Sequence, residues 1–361
     1  MKHQKLSIKE LAEVLQLSRA AVSQALSGNP STTRISEATR RRVQRAAKKY
    51  GYRSNRVARS LRTGKSGMVG ILISQSFFQI SLEHLKYIHF YCKEHGFIPI
   101  IQSVDAHSPE MMSHAVETLL DSKVDAVVLV LLHEFRLLEI LSGAGIPVLS
   151  VGMPAMDGVP RYYPDKASGF QRLAEHLIEQ DNTRLTLMAG ERDSNSHSSN
   201  AREGVEKAVQ AASARGLNVS WEVIPLDLEN PDTVEKLSKK TGIHPICTMG
   251  YEGMRETLKL EVRPHAVLCS NDNWAQGALR ACAEAGVRVP QEIAISGFDN
   301  DPTSSAGLVP ITSVGHSIRD IYKLAFGDLN AALNDGEPLV EKATVLPCEL
   351  FARQSTLFRR A

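Results

Sequence analysis

The chain has 361 residues, 43% of them apolar, enough for a small head and a large body of one or two domains. No stretch of ~18 apolar residues occurs, which excludes a transmembrane helix, and residues 1–20 are charged without an apolar segment, so no export signal is expected. The formal charge of +2 conceals a segregation: residues 1–65 hold 16 of the 42 Lys and Arg but 3 of the 40 Asp and Glu, a balance of +13, which leaves −11 for the rest. A basic head on an acidic body is what binding to a polyanion requires, because neutralised phosphates release counterions. The five cysteines, Cys92, Cys247, Cys269, Cys282 and Cys348, are far apart and form no CxxC pair. Buried, reduced thiols and a cytoplasmic location are therefore expected.

The head opens on a capping box. The Ser7 hydroxyl suits the amide three residues on, and the Glu10 side chain reaches back. Ile8, Leu11, Ala12 and Leu15 follow at the spacing of one helical face. Ser18 then caps a second helix that turns Ala21, Val22, Ala25 and Leu26 inward and shows Arg19, Ala20, Ser23 and Gln24 outward. Two tightly joined helices so decorated read as a helix-turn-helix whose second helix enters a DNA major groove. The pattern alone also fits a helical hairpin in an ordinary core; the charge decides for DNA. A third helix, Ser36 to Tyr50, faces Val43, Ala46, Ala47 and Tyr50 inward and Arg40, Arg41, Arg42, Arg45, Lys48 and Lys49 outward, and Gly51 fits the position that ends it. Arg19, Ala20 and Gln24 are expected at base edges, and Arg34, Arg40 and Arg42 at phosphates, which position without specifying. Asn55 to Arg62 is a two-turn amphipathic segment too short to be a stable helix in isolation.

The head resembles the lactose/galactose repressor family of bacterial transcription factors. The resemblance is carried by Ser7-Ile8-Lys9-Glu10-Leu11-Ala12, by Val22-Ser23-Gln24-Ala25-Leu26-Ser27, by Arg34-Ile35-Ser36 with Thr39-Arg40 and Val43, and by the run Gly51 to Gly64. It implies that Asn55–Arg62 is a hinge helix ordering on the operator in the minor groove, with Leu61 as the wedge that opens a base step and Ala58 permitting close approach. Three positions depart from the family. Gln16 stands where the tight turn usually has Gly, so a left-handed residue costing roughly 1 kcal/mol is expected there. The loop Gly28–Thr33 is about two residues longer than usual, and Ser54 replaces the usual Pro.

From Met68 the pattern alternates. Apolar runs at Val69–Ile73, Phe97–Ile101, Asp125–Leu131, Pro147–Val151, Leu185–Met188, Ala266–Cys269 and Ile293–Ser296 are separated by helical stretches at Leu82–His95, Glu110–Leu120, Ala167–Glu179, Ala201–Arg215 and Asn273–Ala285. Short apolar runs with helices between them indicate parallel sheets covered on both faces, and the length exceeds one comfortable core. The expected fold is a small all-α helix-turn-helix head on an α/β body of two doubly wound parallel-sheet subdomains, the architecture of periplasmic binding proteins. The expected boundaries are 1–53 for the head, 54–66 for hinge and linker, and 67–361 for the body, with one subdomain at about 67–162 and 298–316 and the other at about 163–297 and 317–361.

Weaker echoes of the family continue here. Pro164-Asp165-Lys166 stands at its Asp-Asn pair, with Lys166 departing from it. Ala201-Arg202-Glu203-Gly204 resembles the Arg-x-x-Gly after a Ser-rich loop, and Ser270 to Ala278 a strand-to-helix motif. Val289-Pro290 with Ser296 to Asn300 resembles a crossover between subdomains, Ile311–Val314 the last crossover and Arg353–Thr356 the terminal strand. Ser76–Gln79 and Asp227–Met249 match poorly, the latter as if by insertion. The cleft between the subdomains is the expected effector site. Arg202, Asp165, Asn271 and Asp299 supply polar partners, and Phe77, Phe78 and Trp274 flat apolar faces, a set suited to a sugar. Phe77, Phe78 and Trp274 are alternatively core or interface residues, for one phenylalanine equally so, and Asp272, a further acceptor for the cleft, fits an N-cap equally well.

No HExxH, GxSxG or paired metal spacing is present, so neither an enzyme nor a metal or cofactor is expected. A sugar receptor would share the body but carry an export signal and no basic head. The reading is a dimeric, cytoplasmic regulator binding a palindromic double-stranded operator, a repressor of carbohydrate genes released by a sugar-like effector. A corepressor-dependent repressor or an activator remains open. Only five residues follow Thr356, so dimers without a coiled-coil tail are expected.

Overall fold

The computed structural model describes residues 6–26, 35–52, 60, 64–75, 78–105, 108–132, 135–153, 157–190, 197–226 and 231–358, except the side chains at 78–81, 135, 197 and 231–233. The chain divides into two compact units, Met1–Gly67 and Met68–Ala361.

The first unit contains three helices, α1 (Ile8–Leu15), α2 (Arg19–Leu26) and α3 (Glu37–Lys49). The capping box at Ser7 is complete: the Ser7 amide donates to Glu10 at 2.6 Å and the Glu10 amide to the Ser7 hydroxyl at 3.3 Å. Gln16 takes the left-handed conformation at φ 50°, as its place in the tight turn requires, and Gly51 does so at φ 62° after α3. Leu11, Ala12, Leu15, Val22, Ala25, Val43 and Ala47 form the core of this unit. Arg42 donates to the Leu15 carbonyl at 3.0 Å, tying α3 to the end of α1.

The second unit holds two six-stranded sheets. The first comprises β1 (Met68–Ser74), β2 (Ile98–Val104), β3 (Ala126–Val130), β4 (Val148–Val151), β5 (Arg161–Pro164) and β11 (Ala343–Leu346), in the order β2-β1-β3-β4-β5-β11 and parallel throughout. The second comprises β6 (Arg184–Gly190), β7 (Ser220–Leu226), β8 (Ala266–Cys269), β9 (Ala294–Phe298), β10 (Thr312–His316) and β12 (Cys348–Phe351), in the order β7-β6-β8-β9-β10-β12. Only the β10–β12 pair of this sheet is antiparallel. Each sheet thus repeats the doubly wound order with a switch point beside its first strand, where such sheets receive ligands at their carboxyl ends.

Helices α4 (Phe78–His95), α5 (Pro109–Asp121) and α6 (Phe135–Gly143) belong to the first sheet. Helices α7 (Lys166–Glu179), α8 (His197–Ala214), α9 (Pro231–Thr241), α10 (Pro245–Thr257) and α11 (Asp272–Glu284) belong to the second. Helix α12 (Ile318–Asn330) returns to the first, burying Ile321, Tyr322, Phe326 and Leu329 with Ile88 and Tyr91 of α4.

Two expectations are corrected. Residues 298–316 belong with the second sheet, because β10 pairs with β9 there, and residues 318–346 belong with the first, because α12 and β11 bury their apolar faces on it. The chain therefore crosses after Pro164, after His316 and after Leu346, and Asp299 follows a strand of the second sheet without crossing. The terminal strand is Cys348–Phe351; Arg353–Thr356 forms a turn whose Ser355 and Thr356 side chains bond back to the sheet. The poorly matching segment before Met249 carries α9 and the start of α10. Helices α10 and α11 cross at two glycines: a Cβ on Gly250 would lie 2.0 Å from the Trp274 carbonyl oxygen, and one on Gly277 2.0 Å from that of Cys247. All five cysteines are free, four buried and Cys247 half-buried. No helix among the described residues is long and apolar enough to cross a membrane.

Candidate functional sites

The outward face of α2 is the first site. Ser18, Arg19, Ala20 and Gln24 are exposed and Ser23 half-buried, while Val22 and Ala25 hold the opposite face in the core. The Ser18 hydroxyl accepts from the Ala21 amide at 3.1 Å, so it caps the helix that carries the others. Arg40 is half-buried and Arg42 exposed on α3. Arg34, Asn55, Ala58 and Leu61 lie outside the described residues.

The second site is the crevice between the two sheets. Asp165 caps α7, its Oδ1 accepting from the Ser168 amide at 3.0 Å and its Oδ2 from the Ser168 hydroxyl at 2.6 Å. Lys166, the first residue of that helix, is half-buried by area yet surrounded by protein. Burial lowers its ammonium pKa, opposed by Asp299 and Cys348. Asp299 directly follows β9 in a left-handed conformation, φ 94°, its amide on the Val314 carbonyl at 2.7 Å. Burial pushes its carboxyl up to about 6 against the pull of Lys166. His84 of α4 is 2% exposed, with its Nδ1 2.8 Å from the Tyr322 hydroxyl of α12. Burial and then Lys166 push it down to about 3, and His316, at the end of β10, goes the same way for the same reasons. Both imidazoles are thus neutral near pH 7. Lys166 is the charge felt from both sides, by His84 of the first subdomain and by Asp299 and His316 of the second.

The turn that presents Asp299 is built from several directions. Asp272 is fully buried and its Oδ2 accepts from the Asp301 amide at 2.7 Å. Burial, opposed by a hydrogen bond from Ser313, lifts its carboxyl well above the usual range. Gly297 makes room for it, since a Cβ there would lie 2.1 Å from Asp272 Oδ1. Asn300, at φ 50°, places its amide on the Ser313 hydroxyl at 3.0 Å and accepts from Arg353 at 2.5 Å. Arg353 also donates to the Ile311 carbonyl at 2.7 Å. Two consecutive left-handed residues other than glycine, over-determined by their surroundings, are the kind of strain that collects at binding sites.

The expected effector residues divide accordingly. Asp165 lines a cavity of about 200 Å³, with Lys166 and Asn200 on the same side and Gly152, Tyr163 and Val345 of the first subdomain opposite. Arg202 is half-buried on α8 and donates to the Gly190 carbonyl at 3.4 Å, at the carboxyl end of β6. Arg202 and Asp299 both belong to the second subdomain, so a ligand bonded to these two alone would not bridge the halves. Asn271, not Asp272, is the N-cap of α11, accepting from the Trp274 amide at 2.9 Å. Trp274 is 6% exposed and packs with Met188, Val267, Cys269 and Ile295, so its ring is core before it is a sugar platform. Phe77 lies outside the described residues, and Phe78 opens α4 with its side chain also outside them. Sequence reasoning missed His84, His316 and Tyr322, which stand in no motif; Lys166 had a signal, as the residue that breaks the Asp-Asn pair.

Comparison with known proteins bears on both sites. A family model described as a periplasmic binding protein-like domain matches residues 174–356, and one described as periplasmic binding proteins and sugar binding domain of LacI family matches residues 66–227. The HTH-type transcriptional regulator AglR of Rhizobium meliloti (strain 1021) is 30% identical, the match covering 97% of this chain and 94% of AglR. The HTH-type transcriptional repressor PurR of Aliivibrio salmonicida (strain LFI1238) is 24% identical over 91% of this chain and 92% of its own. Among solved structures, the lac repressor dimer bound to operator and the anti-inducer ONPF superposes with a TM-score of 0.74 at 22% identity, over 98% of this chain and 100% of the repressor. The complex of the transcriptional regulator CelR with cellobiose gives 0.67 at 22% identity, over 97% and 99%. With its helix-turn-helix head and its pair of doubly wound sheets, the chain belongs to the LacI family of DNA-binding transcriptional regulators.

Proposed function

We propose that this regulator is a cytoplasmic homodimer that represses carbohydrate genes from a palindromic operator and responds to a sugar-like effector bound between its subdomains. The observation that carries the effector site is the meeting of Lys166 and Asp299 with His84 across the crevice, where charged and neutral polar groups from both halves surround one charge. A ligand held by both halves favours one relative orientation of them and shifts DNA binding only by its differential affinity for the two orientations. The structural neighbours support the assignment by what they carry: the lac repressor an operator and an anti-inducer, CelR a cellobiose. Relatives that are regulators support a non-enzymatic role.

On DNA, Arg19, Ala20 and Gln24 read base edges from the face of α2, while Arg34, Arg40 and Arg42 meet phosphates. Asn55, Ala58 and Leu61 act in the hinge. Losing a base-edge contact relaxes one position at a cost of about 1–3 kcal/mol, whereas losing a phosphate contact weakens all sequences alike. The test is selection of duplexes from a random pool by the full-length protein, followed by titration in the presence of sugars and nucleobases that raise its melting temperature. Two inverted half-sites and a ligand that weakens binding are expected. Selected duplexes without inverted symmetry would refute the dimeric operator, and a ligand that tightens binding would make the effector a corepressor.

A further inference from the structure

Lys166 lines the inter-subdomain cavity, and among the described residues no hydrogen bond or ion pair is made to its ammonium. Lysine has three donors and no acceptor, so this position is completed only by acceptors that enter the cavity. Asp299 acts on it through its charge and only partly offsets its burial. Of the described residues on the cavity wall, Lys166 is the cation and Asp165 the carboxylate, and both Asp165 oxygens are already engaged by Ser168. The other groups that share an electrostatic interaction with the ammonium are His84 from the first subdomain, itself bonded to Tyr322, and His316, Cys348 and Asp299 from the second. Both histidines are neutral near pH 7 and add no competing charge. The resemblance to the family would put an asparagine at 166, whose amide suits neutral hydroxyls; an ammonium in its place favours a charged acceptor.

We infer that the effector carries an anionic group, a carboxylate or a phosphate, which Lys166 anchors in the cavity between the subdomains. This rests on the reading of the crevice as the effector site. An anion beside Asp299 raises the affinity of that carboxyl for its proton, so binding strengthens as pH falls from 8 towards 6. A neutral sugar donating hydroxyls to the Asp299 carboxylate has the opposite dependence.

The test uses the full-length protein with glucose, galactose and mannose, their uronates and their 6-phosphates, followed by melting temperature and calorimetric titration. At least one anionic member is expected to bind on the order of tenfold or more tightly than its neutral parent, as charge-assisted hydrogen bonds do. Lys166→Gln should erase that preference and Lys166→Arg should keep it; whether uronate or phosphate wins identifies the source of the charge. A neutral parent that binds as tightly as its anionic forms, or a preference that survives Lys166→Gln, overturns the inference and leaves the crevice as the effector site. If no member of the panel binds, the inference and the sugar-like effector fall together.

Discussion

The face of α2 and the crevice both offer polar groups to a ligand, and they do so under opposite conditions. On α2 the residues stand in water: Arg19, Ala20 and Gln24 are exposed, held up by a core of a few small and medium apolar side chains. In the crevice the charged groups are enclosed, and burial moves the Lys166 ammonium down, the Asp299 carboxyl up and both histidines down. An exposed polyanion partner is met by an exposed cationic surface whose strength salt can tune. A small ligand is met by groups whose charge is costly until the ligand arrives. The difference teaches where each site is vulnerable: the head through its slender core, the crevice through protonation.

The largest expected effect falls on the head. Leu11→Ala empties a fully buried position and should cost about 3 kcal/mol. A domain of this size rarely has more than about 3–5 kcal/mol in hand, so operator binding should be lost while the body melts as before. A two-step melting curve that loses only its head transition would show this; a body that melts lower would break the division into two units. Next is Gly277→Ala, whose methyl group would meet the Cys247 carbonyl where α10 and α11 cross. Overpacking of that kind should destabilise the body by about 2 kcal/mol and leave the head transition unchanged. Denaturant unfolding of the body measures it.

The crevice should reveal itself through pH. Asp299 holds its proton to about 6 in the folded protein, above the ordinary 3.8, so its contribution to stability falls as pH rises through that window. Asp299→Asn should therefore be more stable than the unsubstituted protein at pH 8, with the gap closing as pH drops below 4. A gap that does not change with pH would place the carboxyl in ordinary solvent. The smallest expected effect is Ser7→Ala, which removes the cap of α1 and should cost about 1 kcal/mol, read as a lower head transition alone.

The same contrast decides what was legible beforehand. The head could be read because its signals are local: a cap three residues from its Glu, an apolar face, a basic face. Its left-handed residue at Gln16 followed from the tight turn. The inner strands could be read because both faces are buried, as in β3 and β8, where every residue is apolar and buried. The edge strands β7 and β11, and β5 next to β11, have mixed burial and gave no apolar run. The subdomain boundaries went wrong because local pattern does not tell which of two sheets an amphipathic segment will cover; α12 has the face for either and packs on the first. The crevice charges were invisible for a related reason. Lys166 and Asp299 are far apart in sequence, as are His84 and Tyr322, and only the fold brings them together.

The central claim is that a ligand in the crevice governs DNA binding by the head. It is tested most directly by titrating a selected operator with the full-length protein and with Lys166→Gln, each with and without the ligand that most raises the melting temperature. The account predicts at least about a fivefold change in operator affinity on adding the ligand, the lower range of allosteric coupling, and little or no change in Lys166→Gln. An equal ligand response in the two proteins would contradict it.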